Sequence, residues 1–550
     1  MRILGYEFTS QNLISSTTTS YRYDSYGNIL SNITRCGDRT VTTTSTYDNN
    51  EQKWFLGRLK KAEVTKSNPS GSSTLSSEYE YDTNTGLLTK EVFAPGKAFG
   101  YVQTYKYDSY GNILSDTKSP NDGSTPRTKT TTYTSDGRFL ESSTDCLGFT
   151  TSFDVDLTKG VRNSETDING ITTSYEYNDF GELTSTKTPL EEETILTAWS
   201  SGHPYAPSNS LYYNKKESKG HPTTWDFYSN LGLLIRKAQT AYDGSKIIFQ
   251  DYIYDSKNQL TKMSDPYYND EKNISWNSTE YDQVGRVIKR INSNNDISSY
   301  SYDGFITTIT DPRGNKTSKK VNEFGLLVES IDAASSKVSY EYDLNDNCIR
   351  TLGPRTTIIT EYDEVGNKTK MIDPDLGTIS YSYDGFGNTI SQTDAHGTSK
   401  FTYDIAGRLT KEERPDYTYN YEYDAEVKGK LSKESCSNNT SIEYSYDGFG
   451  REIQKKENIC GRVFTTSTNY DTKYNRINSL TYPSGLQIGY SYTNTGYQNR
   501  VFNIENGSTY WQANTVDANN RICSETSGNG IIRWTNYDNA GNITRIQINN

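Results

Sequence analysis

The pair Tyr-Asp, followed three residues after the Asp by Gly, recurs along the whole chain of 550 residues at intervals of about 20 to 26 residues. From Tyr342 to Tyr446 the successive Tyr positions are 20, 21, 20, 20 and 23 residues apart. A period this short corresponds to one supersecondary unit repeated in tandem, so the pattern favours a repeat array. The complete pattern occurs at Tyr23, Asp24 and Gly27; Tyr107, Asp108 and Gly111; Tyr281, Asp282 and Gly285; Tyr362, Asp363 and Gly366; Tyr383, Asp384 and Gly387; Tyr403, Asp404 and Gly407; Tyr446, Asp447 and Gly450; and Tyr537, Asp538 and Gly541.

The Gly of each copy indicates a tight turn, because Gly adopts a positive φ without steric cost. Incomplete copies support this interpretation, since the Gly position is then held by Asn258, Asp346 or Asn520. Asn and Asp are the residues that best tolerate left-handed backbone after Gly. In other copies the Asp is lost and the Gly remains, as at Gly181. We therefore expect the turn to be the constant element of the repeat.

Alternating residues on both sides of the turn predict β-strands. A second aromatic residue stands two positions before many repeat tyrosines, as Tyr444 does before Tyr446, which places both rings on one face of a strand. A second turn signal, Asp-x-x-Gly, closes the unit, for example from Asp394 to Gly397. Each unit is therefore interpreted as strand, tight turn, strand and second turn. The predicted fold class is all-β, with tandem hairpins in one continuous sheet.

Tyrosine takes the place of the aliphatic residues that usually form a core. Only 32% of the residues are hydrophobic, and 46 residues are Tyr. So few aliphatic residues are typical of disordered chains, but the regular period and a net charge of only -12 argue for a folded array. A tyrosine ring buries a large area while its hydroxyl stays hydrated or paired. This composition suits a thin sheet with rows of rings better than a thick core.

The repeat period has one long interruption. Residues 1–188 and 251–550 are predicted to form one array, and residues 189–250 an irregular insertion that keeps a degenerate copy at Tyr228. Several prolines and the acidic run from Glu191 to Glu193 lie in this insertion. A loop or inserted hairpin within a continuous array explains it, and a domain boundary is the alternative.

The sequence predicts no catalytic residues. The Asp of the repeat is explained by capping of its own turn, because catalysis needs one special carboxylate pair and not many equivalent ones. The histidines His203, His221 and His396 have no candidate nucleophile at a known spacing and are interpreted as surface loop residues. No metal-ligand spacing, calcium loop or phosphate-binding loop occurs, so neither a metal nor a cofactor is expected. The function predicted on these grounds is non-enzymatic.

Charge and hydropathy argue against two further classes of protein, those that bind nucleic acids and those that span a membrane. The sequence pI of about 5.1 and the lack of a long basic run argue against nucleic-acid binding. No stretch reaches the 18 to 20 apolar residues of a membrane helix, and the segment from Met1 to Tyr6 lacks the apolar run of a signal peptide. We therefore expect no membrane span, and either export by a route that reads no such signal or a present start that lies inside a longer product.

The six cysteines lack the C-x-x-C spacing of a zinc site. Cys436 and Cys460 occupy nearly the same place in adjacent repeats, 13 and 14 residues after Tyr423 and Tyr446. A cross-strand disulfide between them is one hypothesis, and packed free thiols are the alternative.

The extended motif Tyr-Asp-x-x-Gly-Asn/Arg resembles the YD repeat of the bacterial Rhs family, of Tc toxin shell components and of animal teneurins. It is seen as Tyr383-Asp384-Gly385-Phe386-Gly387-Asn388, as Tyr403-Asp404-Ile405-Ala406-Gly407-Arg408 and as Tyr446-Asp447-Gly448-Phe449-Gly450-Arg451. The resemblance extends over nearly the whole chain. It implies hairpins that wind in a spiral into a hollow β-shell, with tyrosine ladders between them.

The same resemblance implies a function and partners. In bacterial members the shell encloses a toxin polypeptide, so the expected role is a secreted or cell-surface shell whose partner is a toxin cargo or a separately encoded remainder of the shell. Two alternatives stay open: a recognition or adhesion protein that binds glycans or cell-surface proteins, and an inactive truncated fragment of a larger Rhs protein. The family's closing segment with an Asp-Pro-x-Gly-Leu motif is not seen, because Asp311-Pro312-Arg313-Gly314 is followed by Asn315 in the middle of the array.

Overall fold

The computed structural model describes residues 2–6 and 13–549, and these residues form 48 β-strands in one extended sheet. The first half of the chain contributes β1 (Arg2–Tyr6), β2 (Leu13–Tyr23), β3 (Ile29–Cys36), β4 (Arg39–Asn50), β5 (Phe55–Asn68), β6 (Gly71–Tyr81), β7 (Leu88–Phe93), β8 (Tyr101–Tyr107), β9 (Ile113–Pro120), β10 (Arg127–Tyr133), β11 (Leu140–Thr144), β12 (Thr150–Asp156), β13 (Val161–Thr166), β14 (Thr172–Tyr177), β15 (Leu183–Lys187), β16 (Glu192–Trp199), β17 (Tyr212–Ser218), β18 (Thr224–Tyr228), β19 (Leu234–Thr240), β20 (Ile247–Tyr254), β21 (Leu260–Ser264), β22 (Tyr267–Tyr268), β23 (Trp276–Tyr281) and β24 (Val287–Ile291). The second half contributes β25 (Ile297–Asp303), β26 (Ile306–Thr310), β27 (Lys316–Val321), β28 (Leu327–Ile331), β29 (Lys337–Tyr342), β30 (Cys348–Leu352), β31 (Thr357–Tyr362), β32 (Lys368–Asp373), β33 (Gly377–Tyr383), β34 (Thr389–Asp394), β35 (Gly397–Tyr403), β36 (Leu409–Glu413), β37 (Thr418–Tyr423), β38 (Leu431–Cys436), β39 (Thr440–Tyr446), β40 (Glu452–Ile459), β41 (Arg462–Tyr470), β42 (Ile477–Thr481), β43 (Gln487–Tyr492), β44 (Gln498–Asn503), β45 (Thr509–Val516), β46 (Ile522–Ser527), β47 (Ile532–Tyr537) and β48 (Ile543–Asn549).

Each strand pairs antiparallel with the next along the chain, apart from one irregularity around β22. There β20 pairs with both β21 and β22, and β21 pairs with β23, so the sheet continues past a short side strand. The all-β prediction is confirmed, because the described residues contain strands and turns without a helix. Consequently, none of residues 2–6 and 13–549 lies in a helix long and apolar enough to cross a membrane.

Successive turns lie on opposite edges of this ribbon. We call the turns that follow the repeat tyrosines YD turns, such as Asp404–Gly407, and the others return turns, such as Asp394–Gly397. Most YD hairpins share one irregularity, a bulge just before the tyrosine: Thr402 pairs with Lys411, but Tyr403 pairs with Leu409. The hairpin at Tyr302 pairs without this bulge. A type I turn closed by a left-handed Gly produces such a bulge and increases the local twist. The ribbon therefore has a YD edge and a return edge.

The ribbon curls into two windings, the first ending near residue 300. Return turns of the first winding contact YD turns of the second at separations of 244 to 307 residues. The β9–β10 return turn, for example, meets the β33–β34 YD turn through a hydrogen bond from Gly385 N to Asp122, 24 strands further along. One winding thus takes about 24 strands, and the spiral sheet predicted from the resemblance is present.

The sheet is thin, with solvent on much of both faces. Its accessible surface of 31724 Å² compares with about 20,000 Å² for a compact globular protein of the same mass. The two clusters of buried hydrophobic residues among the described residues both lie around β18 to β22. A large surface on both faces and little core are typical of a thin, curved sheet that forms a layer one sheet thick.

Residues 189–250 supply most of the buried residues of both clusters, and the sheet pairs through them from β15 to β20 without a break. The loop between β16 and β17 folds onto the sheet face and places Tyr205 5.2 Å from Trp225, ring to ring. His203 packs 5.1 Å from Phe227, which is fully buried. His203 does lie in a loop, as predicted, but the loop folds back onto the sheet, so its ring is half-buried and not freely exposed at the surface.

Cys436 and Cys460 are free thiols, so the disulfide hypothesis is not supported. Cys436 ends β38, whereas Cys460 lies in the turn after β40. Strand β39 lies between them, and two strand spacings of about 4.8 Å exceed the reach of a disulfide.

Candidate functional site

The YD turn is built by one aspartate side chain. In the turn at Asp404, Oδ1 accepts the backbone N–H groups of Ala406 and Arg408, each at 2.9 Å. The backbone closes the same turn, with Gly407 N donating to Asp404 O at 3.0 Å and φ of Gly407 at 87°. A Cβ at that φ would be strained, so Gly is required by the backbone.

The residue after the Gly completes the turn with its own side chain. Arg408 donates from Nε to Asp404 Oδ2 at 2.7 Å, and where Asn follows the Gly its amide does the same, as Asn388 does to Asp384 at 2.8 Å. The hydrogen bonds of this Asn or Arg were not anticipated from the sequence, although the recurrence of those two types after Gly was visible. They explain why the motif ends in Asn or Arg.

The structure places all eight complete copies of the pattern in such turns. The Gly residues have φ between 74° and 93°. In each turn the aspartate accepts hydrogen bonds from both the backbone N–H and the side chain of the fourth residue on, in turns starting at Asp24, Asp108, Asp282, Asp363, Asp384, Asp404, Asp447 and Asp538. The substitutes Asn258, Asp346 and Asn520 also have left-handed backbone, with φ of 62°, 70° and 60°.

The repeat tyrosines connect neighbouring hairpins. The hydroxyl of Tyr403 donates to the backbone carbonyl of Thr389 at 2.7 Å, one hairpin earlier. The same bond, at 2.6 to 3.1 Å, is made by Tyr47, Tyr81, Tyr107, Tyr254, Tyr281, Tyr302, Tyr342, Tyr383, Tyr423, Tyr446, Tyr470, Tyr492 and Tyr537. Burial raises the pKa of Tyr383 and Tyr403, so these hydroxyls keep their protons. The bonds form a ladder that runs along the ribbon.

Arginine strengthens this ladder where it follows the Gly. The guanidinium of Arg408 lies 4.5 Å from the ring centroid of Tyr423, the tyrosine of the next hairpin, while it also pairs with Asp404. Arg451 lies in the same way 4.3 Å from the ring of Tyr470. A cation over an aromatic face is attracted by the ring quadrupole. One side chain therefore ties its own turn to the following hairpin.

The contact between windings is a seam of turn against turn. Lys97 pairs with Glu364 at 2.7 Å, and Arg39 pairs with Asp346 at 2.6 Å. Asn169 Oδ1 accepts the N–H of Lys428 at 2.9 Å. In each case a return turn of the first winding meets a YD turn of the second.

Backbone packing at the seam is tight in places. At Gly385 an added Cβ would lie against Pro120 and 2.7 Å from Asp122 Oδ1. At Gly220 it would lie 2.6 Å from the ring of Tyr474. Such distances are below normal contact, so Gly is needed here for close approach of two windings.

The candidate chemical groups of the sequence do not come together. His203 lies in the aromatic cluster, where burial lowers its pKa, whereas His396 is exposed in a return turn and His221 lies 3.2 Å from Glu191 Oε1. Among residues 2–6 and 13–549 no three His, Cys, Asp or Glu side chains are grouped as ligands of a metal ion. The built features of the chain are its turns, its ladder and its seam.

Comparisons with known proteins agree with this geometry. The RHS Repeat family model matches residues 383–419. The crystal structure of TcdB2-TccC3 superposes with a TM-score of 0.81 at 13% identity, over 100% of this chain and 40% of that one. TcdB2-TccC3 without its hypervariable C-terminal region gives 0.83 at 12% identity, over 100% and 40%. The Photorhabdus luminescens Tc holotoxin pore gives 0.78 at 12% identity, over 97% and 39%.

The chain thus spans about 40% of the length of the solved structures that it matches. No curated protein matches its sequence. The family model covers one pair of hairpins, whereas the structural match covers the whole spiral sheet. Residues 383–419 therefore carry an RHS repeat, and the chain has the spiral β-sheet fold of TcdB2-TccC3.

Proposed function

We propose that the chain forms part of the wall of a secreted shell that encloses a polypeptide, with no chemistry of its own. The observation that carries this proposal is the large surface of a sheet that curls onto itself with little core. Turns seal the wall along the seam, and the tyrosine ladder holds neighbouring hairpins in register. A wall needs area and continuity, and these devices supply both.

The dimensions allow an interior. About 24 strands per winding at about 4.8 Å per strand give a circumference of at least about 115 Å, hence a diameter of at least about 37 Å for a round winding. The wall and its side chains take about 10 Å of that diameter. An unfolded segment or a helix of 10 to 12 Å diameter fits the remaining space. The net charge of -12 favours retention of a cationic polypeptide.

The comparisons support the proposal at the level of fold. The matched structures include a Tc holotoxin pore and TcdB2-TccC3 without its hypervariable C-terminal region. The cargo, the secretion and the remaining part of the shell are inferences for this chain. The alternative of glycan or cell-surface binding has no support in these comparisons.

Protease protection tests enclosure. An unstructured, lysine-rich polypeptide fused after Asn550 should resist trypsin when the shell encloses it, and the protection should fall as salt rises. The same polypeptide fused to an unrelated folded protein is the control. Cleavage of both fusions at the same rate would contradict enclosure. Cryo-electron microscopy of the chain should show a hollow particle, and a solid particle would contradict the wall itself.

A further inference from the structure

The loop of residues 200–211, which joins β16 to β17, covers a face of the sheet that is open in most other hairpins. In most YD hairpins the residue before the repeat tyrosine points away from the tyrosine ladder and is exposed, as Thr402 and Glu422 are. Before Tyr228 this residue is Phe227, which is fully buried. We call residues 200–211 the flap. The flap thus covers an aromatic cluster on the face opposite the tyrosine ladder.

The imidazole of His203 lies within the flap and among aromatic rings. Its ring centroid is 4.6 Å from that of Tyr213. Its Nδ1 accepts a hydrogen bond from the backbone N–H of Tyr205 at 3.2 Å, which requires an unprotonated Nδ1. The flap backbone turns around the same residue, since His203 N donates to Ser200 O at 3.0 Å and Ala206 N donates to His203 O at 3.1 Å. The closed conformation is therefore tied to the neutral form of one side chain.

The charged groups around His203 disfavour a positive charge on its ring. From β17, Lys215 places a cation near the imidazole and pairs with Glu217 at 2.6 Å. From β19 and β20, Arg236 and Asp251 pair with each other at 2.8 Å, and Arg236 also donates from Nη1 to a flap carbonyl at 3.1 Å. Two cations thus lie on this face, while each of the two carboxylates already has a cationic partner.

These surroundings make His203 the group that titrates near neutral pH. Burial, and secondarily the positive charge from β17, lower the pKa of His203 from its ordinary value of 6.5. Burial and the hydrogen bond to Asp251 raise the pKa of Tyr267. Burial alone would lower the pKa of Arg236, but its hydrogen bond to Asp251 raises it overall. Asp226 lies on the opposite face of β18, where burial raises its pKa.

We propose that the flap is an acid-sensitive cover, which protonation of the His203 imidazole releases from the aromatic cluster beneath it. A proton on Nδ1 removes the acceptor of the Tyr205 N–H and places a second positive charge beside Lys215 in an apolar surrounding. An open flap returns the imidazolium to water. The cover is therefore fully stabilised above about pH 6.5 and loses stability as the pH falls through the lower pKa of the folded state. The rings become an accessible apolar surface only on acidification, whether or not the shell encloses a polypeptide.

Hydrogen exchange of the flap at pH 8 and at pH 5, corrected for the intrinsic pH dependence of amide exchange, tests this release. Loss of one neutral hydrogen bond predicts that the amides of residues 200–211 exchange roughly five times faster at pH 5. His203→Gln carries an oxygen acceptor but no titrating group, so its flap should exchange at the same corrected rate at both pH values. His396→Gln, at an exposed histidine of a return turn, is the matched control and should keep the full pH response.

An NMR titration of the unmodified chain gives an independent result. The chain contains three histidines, so the ring signal that is missing in His203→Gln identifies His203. Its midpoint should lie below 6.5, and a midpoint at or above that value would overturn the proposal. Equal flap exchange at pH 8 and pH 5 in the unmodified chain would also overturn it. A pH response that persists undiminished in His203→Gln would do the same, because it would show that another group, such as Asp226, controls the flap.

Discussion

Two glycines in identical motifs test whether the seam between windings stabilises the shell. Asp-Gly-Phe-Gly occurs at 384–387 and again at 447–450, and the first Gly of each has no positive φ. Gly385 faces the first winding, where an added Cβ would press on Pro120 and on the Asp122 carboxylate. At Gly448 an added Cβ would meet no atom within 4 Å. The same substitution to Ala therefore perturbs the seam at one site only.

The magnitude follows from the contacts. Gly385→Ala forces the two turns apart, and overpacking of this kind costs about 1 to 3 kcal/mol. The separation also weakens the bond from Gly385 N to Asp122 Oδ2, which is 2.6 Å long. We expect a local loss of about 2 kcal/mol, equivalent to roughly a 30-fold change in the opening equilibrium of the seam. Gly448→Ala should be neutral or stabilise by up to about 1 kcal/mol, since Ala restricts the unfolded chain.

Hydrogen exchange followed by mass spectrometry measures this opening. Peptides covering residues 119–125 have the same sequence in all variants, so their exchange reports the return turn on the other side of the seam. They should exchange about 30-fold faster in Gly385→Ala, by conversion of the same 2 kcal/mol, and at the normal rate in Gly448→Ala. Equal exchange in the two variants, fast or slow, would refute the seam as an energetic contact.

Four further outcomes are expected. Tyr403→Phe removes a hydroxyl 2.7 Å from a backbone carbonyl and should lower the free energy of unfolding in urea by about 1 kcal/mol, whereas Tyr417→Phe, at a ring 46% exposed, should change it little. Gly387→Ala, at a φ of 87° with open space around the added Cβ, should cost about 1 to 2 kcal/mol from backbone strain alone, and Gly387→Asn less, as the same urea titrations would show. Hydrogen bonds from Thr134 and Arg138 lower the pKa of Asp136 from 3.8 to about 2, so its stabilisation is complete above pH 4 and lost as the pH falls towards 2, which thermal melts across that range would detect. Burial raises the pKa of Tyr105 from 10.0 to about 12, so its contribution to the stability of the fold is complete below pH 10 and is lost between pH 10 and 12. Tyrosinate absorbance should therefore rise together with the loss of the β-sheet circular dichroism.

The hairpins could be predicted from the sequence because every determinant is local. Asp404, Gly407 and Arg408 lie within five residues and make the turn by contacts with one another. Alternation around Tyr403 sets the strand faces within the same unit. Because this unit repeats along the chain, the continuous sheet could be predicted without knowledge of contacts between distant residues.

The seam could not be predicted, because its partners are about 250 to 300 residues apart and carry no shared motif. Nothing in Pro120 or Asp122 indicates that Gly385 lies opposite, since the alignment depends on how far the whole ribbon curls per strand. The aromatic cluster at His203 could not be predicted from the sequence either, for a related reason. A loop rich in Pro indicates irregular backbone, but whether it folds back over the sheet depends on the face that β18 presents to it.

A seam of turn tips places few demands on sequence, which is compatible with a shared fold at 12% to 13% identity to TcdB2-TccC3. Paired strand edges would demand matched backbone register between windings, and a single inserted residue would break it. Contacts between turn tips demand less. A cation can lie over a ring, as Arg127 does over Phe386, and a carboxylate can accept a hydrogen bond from the backbone amide of a small residue, as Asp122 does from Gly385. The tyrosine ladder therefore holds neighbouring hairpins of one winding in register, and the windings can shift by whole hairpins without loss of the seam. On this argument an inserted pair of hairpins should enlarge the shell, whereas a single inserted strand would place a return turn where a YD turn is needed and open the seam from that point on.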